Sequence, residues 1–345
     1  MGCASSVALV ETEEYKAAFA STASVTVAEE LVELNVGVKR NVVSWLPVGD
    51  APVNGIVLVV HGLHEHSFRH HAVGIAMAER GYAVYGLDFG GHGRSDGVRG
   101  MIYNADDLVE DVVKFAAHVV AKHADLPLPI SLYAHSMGTL ISFFALHRIA
   151  GIKAAVFSAC ALIPGPDSGS PFGISALYPL TKSSSAVTLA KIMAGVAPEG
   201  DAAPIVLEGL MHDVQEQQID KADPRVYHGS IRNKTAYELL KMTPRCLGEN
   251  GIKSFPIDLR IAFFHGEDDK LTMPKSSQDA FDACPCTNKT IAFQANAKHE
   301  ILHEAAAISG PILIAMCEVL SSSVSSGNPL DSQGVSLSVN LVATY

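Results

Sequence analysis

The sequence contains no run of basic residues. Of its 345 residues, 36 are acidic and 25 are lysine or arginine, so the formal net charge at pH 7 is −11. Proteins that bind the phosphates of nucleic acids present clusters of lysine and arginine. The sequence therefore argues against a nucleic-acid partner.

Hydrophobic runs of membrane-spanning length are also missing. The longest apolar stretch, AAAISGPILIAMCEVL, falls short of the roughly 20 residues that a transmembrane helix needs. It also contains Glu318 near its end. We therefore expect a buried helix there and no transmembrane segment.

The sequence has neither a secretory signal nor a C-x-x-C pair. Its six cysteines are scattered, and Cys284 and Cys286 lie too close together for the redox or zinc spacing. Disulfides form and persist in oxidising compartments and are rare in the cytosol. We therefore expect reduced thiols in a cytoplasmic protein.

What the sequence does contain is an alternation of short apolar strands and helices from about Val42 to Leu320. The segments GIVLVVHG and PISLYAHS predict buried strands. DDLVEDVVKFAAHVVAKH predicts a helix with Leu108, Val112 and Phe115 on one face. Such alternation predicts an α/β fold, with a mostly parallel central sheet flanked by helices.

The alternation stops between about residues 162 and 255. This part is rich in Pro, Ser and Gly and holds helical pieces but no convincing strand. An insertion of this size between strands predicts a helical cap over the ends of the sheet. The predicted organisation is thus an N-terminal segment (1–24), one domain with its cap (25–320) and a Ser-rich tail (321–345).

Ser136 lies in AHSMG, where a predicted strand meets a predicted helix. A nucleophilic serine on such a strand-to-helix elbow has the pattern G-x-S-x-G, in which small residues let the strand and helix approach. Gly138 supplies the second small residue, and Ala134 adds only a methyl group at the first. Ser136 is therefore a candidate nucleophile, and the alternative is an ordinary helix-capping serine.

Two later strand ends supply partners for such a serine. IAFFHGEDDKLT places Asp268 and Asp269 after a predicted strand, and IAFQANAKHE does the same for His299. The order Ser, Asp, His is that of hydrolases with this elbow, and strand ends of a parallel sheet share one edge. We expect His299 to take the proton of Ser136. One aspartate would orient the imidazole, and the spacing from Gly266 favours Asp269.

An acyl-transfer reaction also needs donors for the oxyanion. Met137 follows the serine directly and would offer its backbone N–H. The loop HGLHEHSFRHH follows the strand GIVLVV, and in it Leu63 would present a second N–H.

Five segments together resemble one family. HGLHEHSFRH, GLDFGGHGRSDGVRG, AHSMG, HGEDDKLT and AKHEILHE look like the successive signature segments of monoacylglycerol lipase-like α/β-hydrolases, a group with lysophospholipase-like members. The resemblance covers roughly residues 42–320. It implies an α/β-hydrolase fold with Ser136, Asp269 and His299 as the catalytic residues.

The resemblance also implies a substrate-binding pair. The family's loop glutamate and arginine, which shape the glycerol end of the pocket, fall on Glu65 and Arg69. Animal members carry a cap tyrosine three residues before an Asp-Pro pair, whereas this sequence has Asp220 before Asp223-Pro224. We expect apolar cap residues to line an acyl channel. These are Ile205, Val206, Leu207, Leu210 and Met211.

The predicted function is hydrolysis of carboxylic esters of single-chain lipids, such as monoacylglycerols or lysophospholipids, through an acyl-enzyme. No cofactor is expected. One alternative is an esterase or thioesterase that acts on soluble acyl compounds. Another is a catalytically silent hydrolase fold that binds a ligand.

Two patterns suggest a metal instead. HEILH, from His299 to His303, matches the zinc motif H-E-x-x-H, but His299 follows a strand, so the two histidines need not share a helical face. The second pattern is a cluster of histidines: His61, His64, His66, His70 and His71. For His70 and His71 we expect surface positions at the start of a helix. We therefore predict no metal site.

The sequence begins MGCASS, which fits the N-myristoylation motif M-G-x-x-x-[ST] at Gly2. One myristoyl chain binds membranes only marginally, so a second signal is needed. The next residues, VALVETEEYK, carry three glutamates and no basic cluster, which excludes an electrostatic second signal. S-palmitoylation of Cys3 is the remaining candidate. Two chains would hold a cytoplasmic protein at the cytosolic face of a membrane.

Overall fold

The computed structural model describes residues 21–35, 37–49, 52–163, 184–205 and 207–321. Gly2 and Cys3 lie outside the described residues, as does the predicted Ser-rich tail beyond residue 321.

An eight-stranded sheet forms the centre of the described part. The described part contains ten strands: β1 (Val25–Asn35), β2 (Val38–Pro47), β3 (Gly55–Val60), β4 (Tyr82–Leu87), β5 (Ile130–His135), β6 (Ile152–Ser158), β7 (Asp201–Ala203), β8 (Ile231–Arg232), β9 (Arg260–Gly266) and β10 (Asn288–Gln294). All but β7 and β8 belong to the central sheet. Its strand order is β1-β2-β4-β3-β5-β6-β9-β10, and within it only β1–β2 and β2–β4 pair antiparallel. This confirms the predicted α/β fold with a mostly parallel sheet.

Helices cover both faces of this sheet. Every residue of β3, β4 and β5 is buried, as their unbroken apolar sequences require. The α-helices are α1 (His71–Ala78), α2 (Ala105–Lys122), α3 (Met137–Ala145), α4 (Ser184–Val196), α5 (Val214–Ala222), α6 (Asn233–Cys246), α7 (Lys275–Ala283) and α8 (Ala306–Ser321).

Helix α2 shows how the sequence determines an element. The Asn104 side chain caps its first turn by accepting from the N–H of Asp106, and acidic residues there suit the helix dipole. Leu108, Val112 and Phe115 are all buried, as predicted. This face packs into the core beneath the sheet, in one cluster with side chains from β3 and β5.

The chain between β6 and β9 contains α4, α5 and α6, as expected for a helical cap. It also contains two short strands, β7 and β8, which pair antiparallel. The expectation of no strand was therefore wrong here. These strands have three and two residues, too few to show a period-2 pattern. None of the described helices is long and apolar enough to span a membrane.

Candidate active site

Ser136 stands on a sharp turn between β5 and α3. Its φ of 50° and ψ of −121° are strained for any residue with a side chain. The turn is tight because α3 lies directly against the end of β3. A Cβ added at Gly138 would approach the carbonyl oxygen of Val60 to 2.4 Å. Ala134 is fully buried within β5, where the sheet accommodates its methyl group.

A continuous chain of hydrogen bonds links three of the predicted residues. The Oγ of Ser136 lies 2.9 Å from Nε2 of His299, and Nδ1 of His299 lies 2.8 Å from Oδ2 of Asp269. All three side chains are buried. With the proton of the imidazole on Nδ1, His299 donates to Asp269 and accepts from the hydroxyl of Ser136.

The carboxylate of Asp269 is saturated with donors. Its Oδ1 accepts from the backbone N–H groups of Leu271 and Thr272, and its Oδ2 also accepts from the hydroxyl of Thr272 and from Nε2 of His265. Burial alone would raise the pKa of Asp269, but His299 and these hydrogen bonds hold it well below its usual range. Asp269 is therefore a fixed negative charge beside His299.

That charge acts on the imidazole in turn. Burial works to lower the pKa of His299, but the nearby Asp269 carboxylate outweighs it and raises the pKa above the ordinary value. Asp268, the competing acid, is half exposed and lies 3.2 Å from His212 instead. Of the two aspartates, the structure places Asp269 at His299.

The predicted oxyanion donors flank the serine. Leu63 and Met137 line the same cavity as Ser136. Among the described residues, neither backbone N–H donates to an acceptor. The loop carrying Leu63 is close to the serine, because a Cβ on Gly62 would lie 2.9 Å from Cβ of Ser136. The assignment of the two donors stays a prediction.

A cavity of about 1230 Å³ opens over Ser136 and His299. Its walls come from the ends of the sheet and from the chain between β6 and β9. Ile205 and Leu210 line it as expected, whereas Met211 is fully buried elsewhere and the side chains of Val206 and Leu207 lie outside the described part. Other apolar lining residues are Leu140, Leu189, Met193, Val214, Leu239 and Leu240.

Glu65 and Arg69 occupy different places relative to this cavity. Glu65 lines it, but Arg69 does not. The guanidinium of Arg69 lies behind, 2.6 Å from Oδ1 of Asp220 and hydrogen-bonded to Glu300. Arg69 therefore does not line the cavity itself, because its carboxylate partners lie between it and the cavity. The role of Glu65 and Arg69 at the glycerol end of the pocket stays a prediction.

Four residues near the site had no role in the sequence interpretation. His265 and Thr272 hold Asp269, while His135 and Glu300 line the cavity beside His299. The rings of His135 and His299 are 4.9 Å apart. All four lie within the motif segments quoted above, and that position was the only signal in the sequence.

The histidines near the start of α1 have separate partners. His70 is buried beside Glu65, and the half-buried His71 accepts a hydrogen bond from Nε1 of Trp45. The expected surface position is therefore wrong for His70, because α1 packs against the sheet through its N-terminal turn. His61 accepts from the N–H of Phe89.

The two histidines of the motif HEILH contact different side chains. Both nitrogens of His299 are engaged by Ser136 and Asp269, and Nδ1 of His303 lies 3.0 Å from Glu216. Within the described ranges, a different trio has ligand atoms within 4.8 Å of one another: Glu65, His135 and Glu300. The guanidinium of Arg69 already contacts both of these carboxylates and would oppose a metal ion.

Comparisons with known proteins agree with this geometry. The family described as "Hydrolase_4: Serine aminopeptidase, S33" matches residues 51–306. The monoacylglycerol lipase of Mycolicibacterium smegmatis is 26% identical over 260 residues, covering 75% of this chain and 85% of that protein. The caffeoylshikimate esterase of Arabidopsis thaliana is also 26% identical, over 75% of this chain and 74% of that protein.

The fold has solved counterparts as well. A crystal structure of a soluble variant of monoglyceride lipase from Saccharomyces cerevisiae, in complex with a substrate analog, superposes with a TM-score of 0.69. The alignment covers 89% of this chain and 98% of that chain at 21% identity. At this identity the likeness concerns the fold.

Proposed function

The chain belongs to the Hydrolase_4 family and is a monoacylglycerol lipase-like carboxylic ester hydrolase, and we propose that it cleaves single-chain lipid esters through an acyl-enzyme on Ser136. The observation that carries this proposal is the hydrogen-bonded chain Ser136–His299–Asp269 at the base of a large, mainly apolar cavity.

The chemistry follows from the geometry. The hydroxyl of Ser136 attacks the ester carbonyl while Nε2 of His299 takes its proton. The N–H groups of Leu63 and Met137 stabilise the oxyanion, and the loss of one such donor typically costs about 3 kcal/mol in the barrier. His299 then gives its proton to the departing alkoxide, which leaves as the alcohol. Water attacks the acyl-enzyme by the same route and releases the fatty acid.

The substrate proposal rests on the walls of the cavity. Its volume of about 1230 Å³ exceeds a typical small-molecule pocket, and the lining from α4 and α6 is largely apolar. One long acyl chain fits such a lining. The carboxylate of Glu65 adds a polar end beside the serine, which suits the hydroxyls of a glycerol.

The main rival is hydrolysis of a soluble ester, since the relatives include an esterase named for caffeoylshikimate. A panel of esters separates the two. We expect long-chain monoacylglycerols to be cleaved faster than triacylglycerols and faster than short water-soluble esters. Comparable rates on triacylglycerol, or activity confined to the short esters, would refute the proposal. A silent ligand-binding protein would cleave none of them.

We also propose that Gly2 is myristoylated and Cys3 palmitoylated. This proposal rests on the motif MGCASS alone. Two acyl chains would keep the enzyme at the cytosolic face of a membrane, where single-chain lipid esters partition.

A further inference from the structure

Three buried carboxylates converge on a single guanidinium beside the candidate nucleophile. Arg69 contacts Asp220 at 2.6 Å and Glu65 at 3.8 Å, and it is hydrogen-bonded to Glu300. Asp220 belongs to α5, whereas Glu65 and Glu300 belong to the loops after β3 and β10. The cluster therefore joins the cap to the loop that carries His299.

The carboxylates of this cluster, and not its guanidinium, face the cavity. Glu65, Asp220 and Glu300 all line the cavity, and Arg69 does not. The neighbouring histidine does not cancel the negative charge of this cluster. Even with a positive charge on His70, 3.3 Å from Glu65, three carboxylates would face two cations.

The remaining charges add to the same sign. His303 lies 3.7 Å from Glu300 but is shared with a fourth carboxylate, Glu216. Elsewhere the lining contributes Asp201 and Glu208 against one lysine, Lys221. The cavity thus has an excess of negative charge, which is greatest where Glu65 and Glu300 approach His299.

One buried side chain in this part of the cavity has no hydrogen-bond partner among the described residues. Both ring nitrogens of His64 are unsatisfied within the described part of the chain, although the residue is only 4% exposed. The Oε2 atom of Glu65, by contrast, lies 3.3 Å from Nε2 of His70 and 3.8 Å from Nε of Arg69. Burial lowers the pKa of His64 to about 3, so its imidazole is neutral. In a neutral imidazole one nitrogen donates and the other accepts, so His64 favours a ligand with a hydroxyl-like group that can donate a hydrogen bond to it.

His64 also holds an unusual backbone. Its φ of 68° lies in the left-handed region, which residues with a side chain rarely adopt. The ring is fixed edge-on to Tyr227, with centroids 4.8 Å apart, and lines the cavity next to Glu65. The strain is thus retained at a position facing the substrate space.

We propose that this end of the cavity selects the alcohol part of the ester by charge: it accepts a neutral or cationic, hydrogen-bond-donating group and excludes an anionic one. The inference rests on the proposed function and deepens it. Of the substrate classes considered, monoacylglycerols fit. Lysophospholipids do not, because their phosphate, one glycerol away from the ester, would lie against desolvated carboxylates.

The test uses four octanoyl esters that differ only in the alcohol: glycerol, choline, methanol and glycerol 3-phosphate. The purified wild type should cleave the glycerol and choline esters at comparable kcat/KM. Like-charge juxtaposition should lower kcat/KM for the phosphate ester by about 100-fold. The methyl ester, which neither donates nor repels, should fall between them.

A charge variant links the effect to the cluster. Asp220→Asn keeps the size of the side chain and removes one charge, and we expect the phosphate ester to gain about 10-fold relative to the glycerol ester. Asp220→Glu keeps the charge and should keep the discrimination. Glu249→Gln, an exposed site whose carboxylate pairs only with Lys253, is the matched control and should change neither rate.

The outcomes separate the two proposals. Equal cleavage of all four esters by the wild type overturns the charge selection and leaves the ester hydrolase intact. Failure to cleave any of them refutes the proposed function itself, and the selection with it. The wild-type panel decides the point even where Asp220→Asn does not fold.

Discussion

The Nε2 atom of His299 lies 2.9 Å from Oγ of Ser136, although the two residues are 163 positions apart in the sequence. The contact exists because β5 and β10 end at the same edge of the sheet, and the loops after them turn toward each other. The hydroxyl of Ser136 is therefore the one that His299 can activate.

Ser136→Ala should abolish labelling by a fluorophosphonate probe and lower turnover by up to ~10⁶-fold, because the residue that forms the acyl-enzyme is gone. Gel-based labelling and an ester assay measure the two effects. Ser142→Ala is the control, since this buried serine lies within α3 outside the cavity lining. A Ser136→Ala protein that still labels and turns over contradicts the assignment.

Asp269→Asn should reduce turnover by ~10⁴-fold, because an asparagine would hold the wrong tautomer of His299. Asp268→Asn is the matched variant one residue away and should cost far less, as its carboxylate is half exposed and faces His212. Steady-state kinetics on one ester decide the ranking, and the reverse ranking excludes Asp269 as the orienting acid.

The reaction should depend on pH through His299. Only the neutral imidazole accepts the serine proton, and Asp269 raises the pKa of His299 above the ordinary value of about 6.5. The rate of fluorophosphonate labelling should therefore fall as the pH drops through that raised pKa and level off above it. In Asp269→Asn the acid limb should move to lower pH, because the stabilising charge is removed. An unmoved limb would show that another group titrates.

Gly138→Ala should destabilise the fold by about 2 kcal/mol or more, because the new Cβ meets backbone rather than a movable side chain. Its nearest atoms would be the carbonyl oxygens of Val60 at 2.4 Å and His61 at 2.7 Å. Gly195→Ala in α4 is the matched control, with nothing within 4 Å of the new methyl group. It should gain about 0.5–1 kcal/mol from helix propensity. Urea denaturation compares the two, and an unchanged midpoint for Gly138→Ala would argue against the tight elbow.

The N-terminal proposal is tested by fractionation of the protein expressed in a eukaryotic host. The wild type should pellet with membranes and Gly2→Ala should become soluble, because myristoylation requires that glycine. Cys3→Ser should associate weakly and reversibly, since one chain gives marginal binding. A Gly2→Ala protein distributed like the wild type would refute the anchor and leave the hydrolase proposal untouched.

The central sheet and the grouping of the site residues follow from local patterns in the sequence. Short runs of branched apolar residues favour buried strands, and the carboxyl ends of parallel strands lie along one edge of the sheet. Ser136, Asp269 and His299 each follow such a strand, so their proximity was predictable. The helical face of α2 was predictable for the same reason, because its period is a local property of the chain.

The neighbours of those residues depend instead on long-range packing. The sequence distinguishes Asp268 from Asp269 only by the spacing from Gly266, whereas in the folded chain Asp268 contacts His212 and Asp269 contacts His299. Arg69 and His70 carry no mark of burial in the sequence. The placement of Arg69 depends on segments more than a hundred residues away, because Asp220 and Glu300 reach it only after α5 and the loop after β10 have packed. Long-range packing of this kind has no local period, and so the charge of the cavity emerges only in the folded chain.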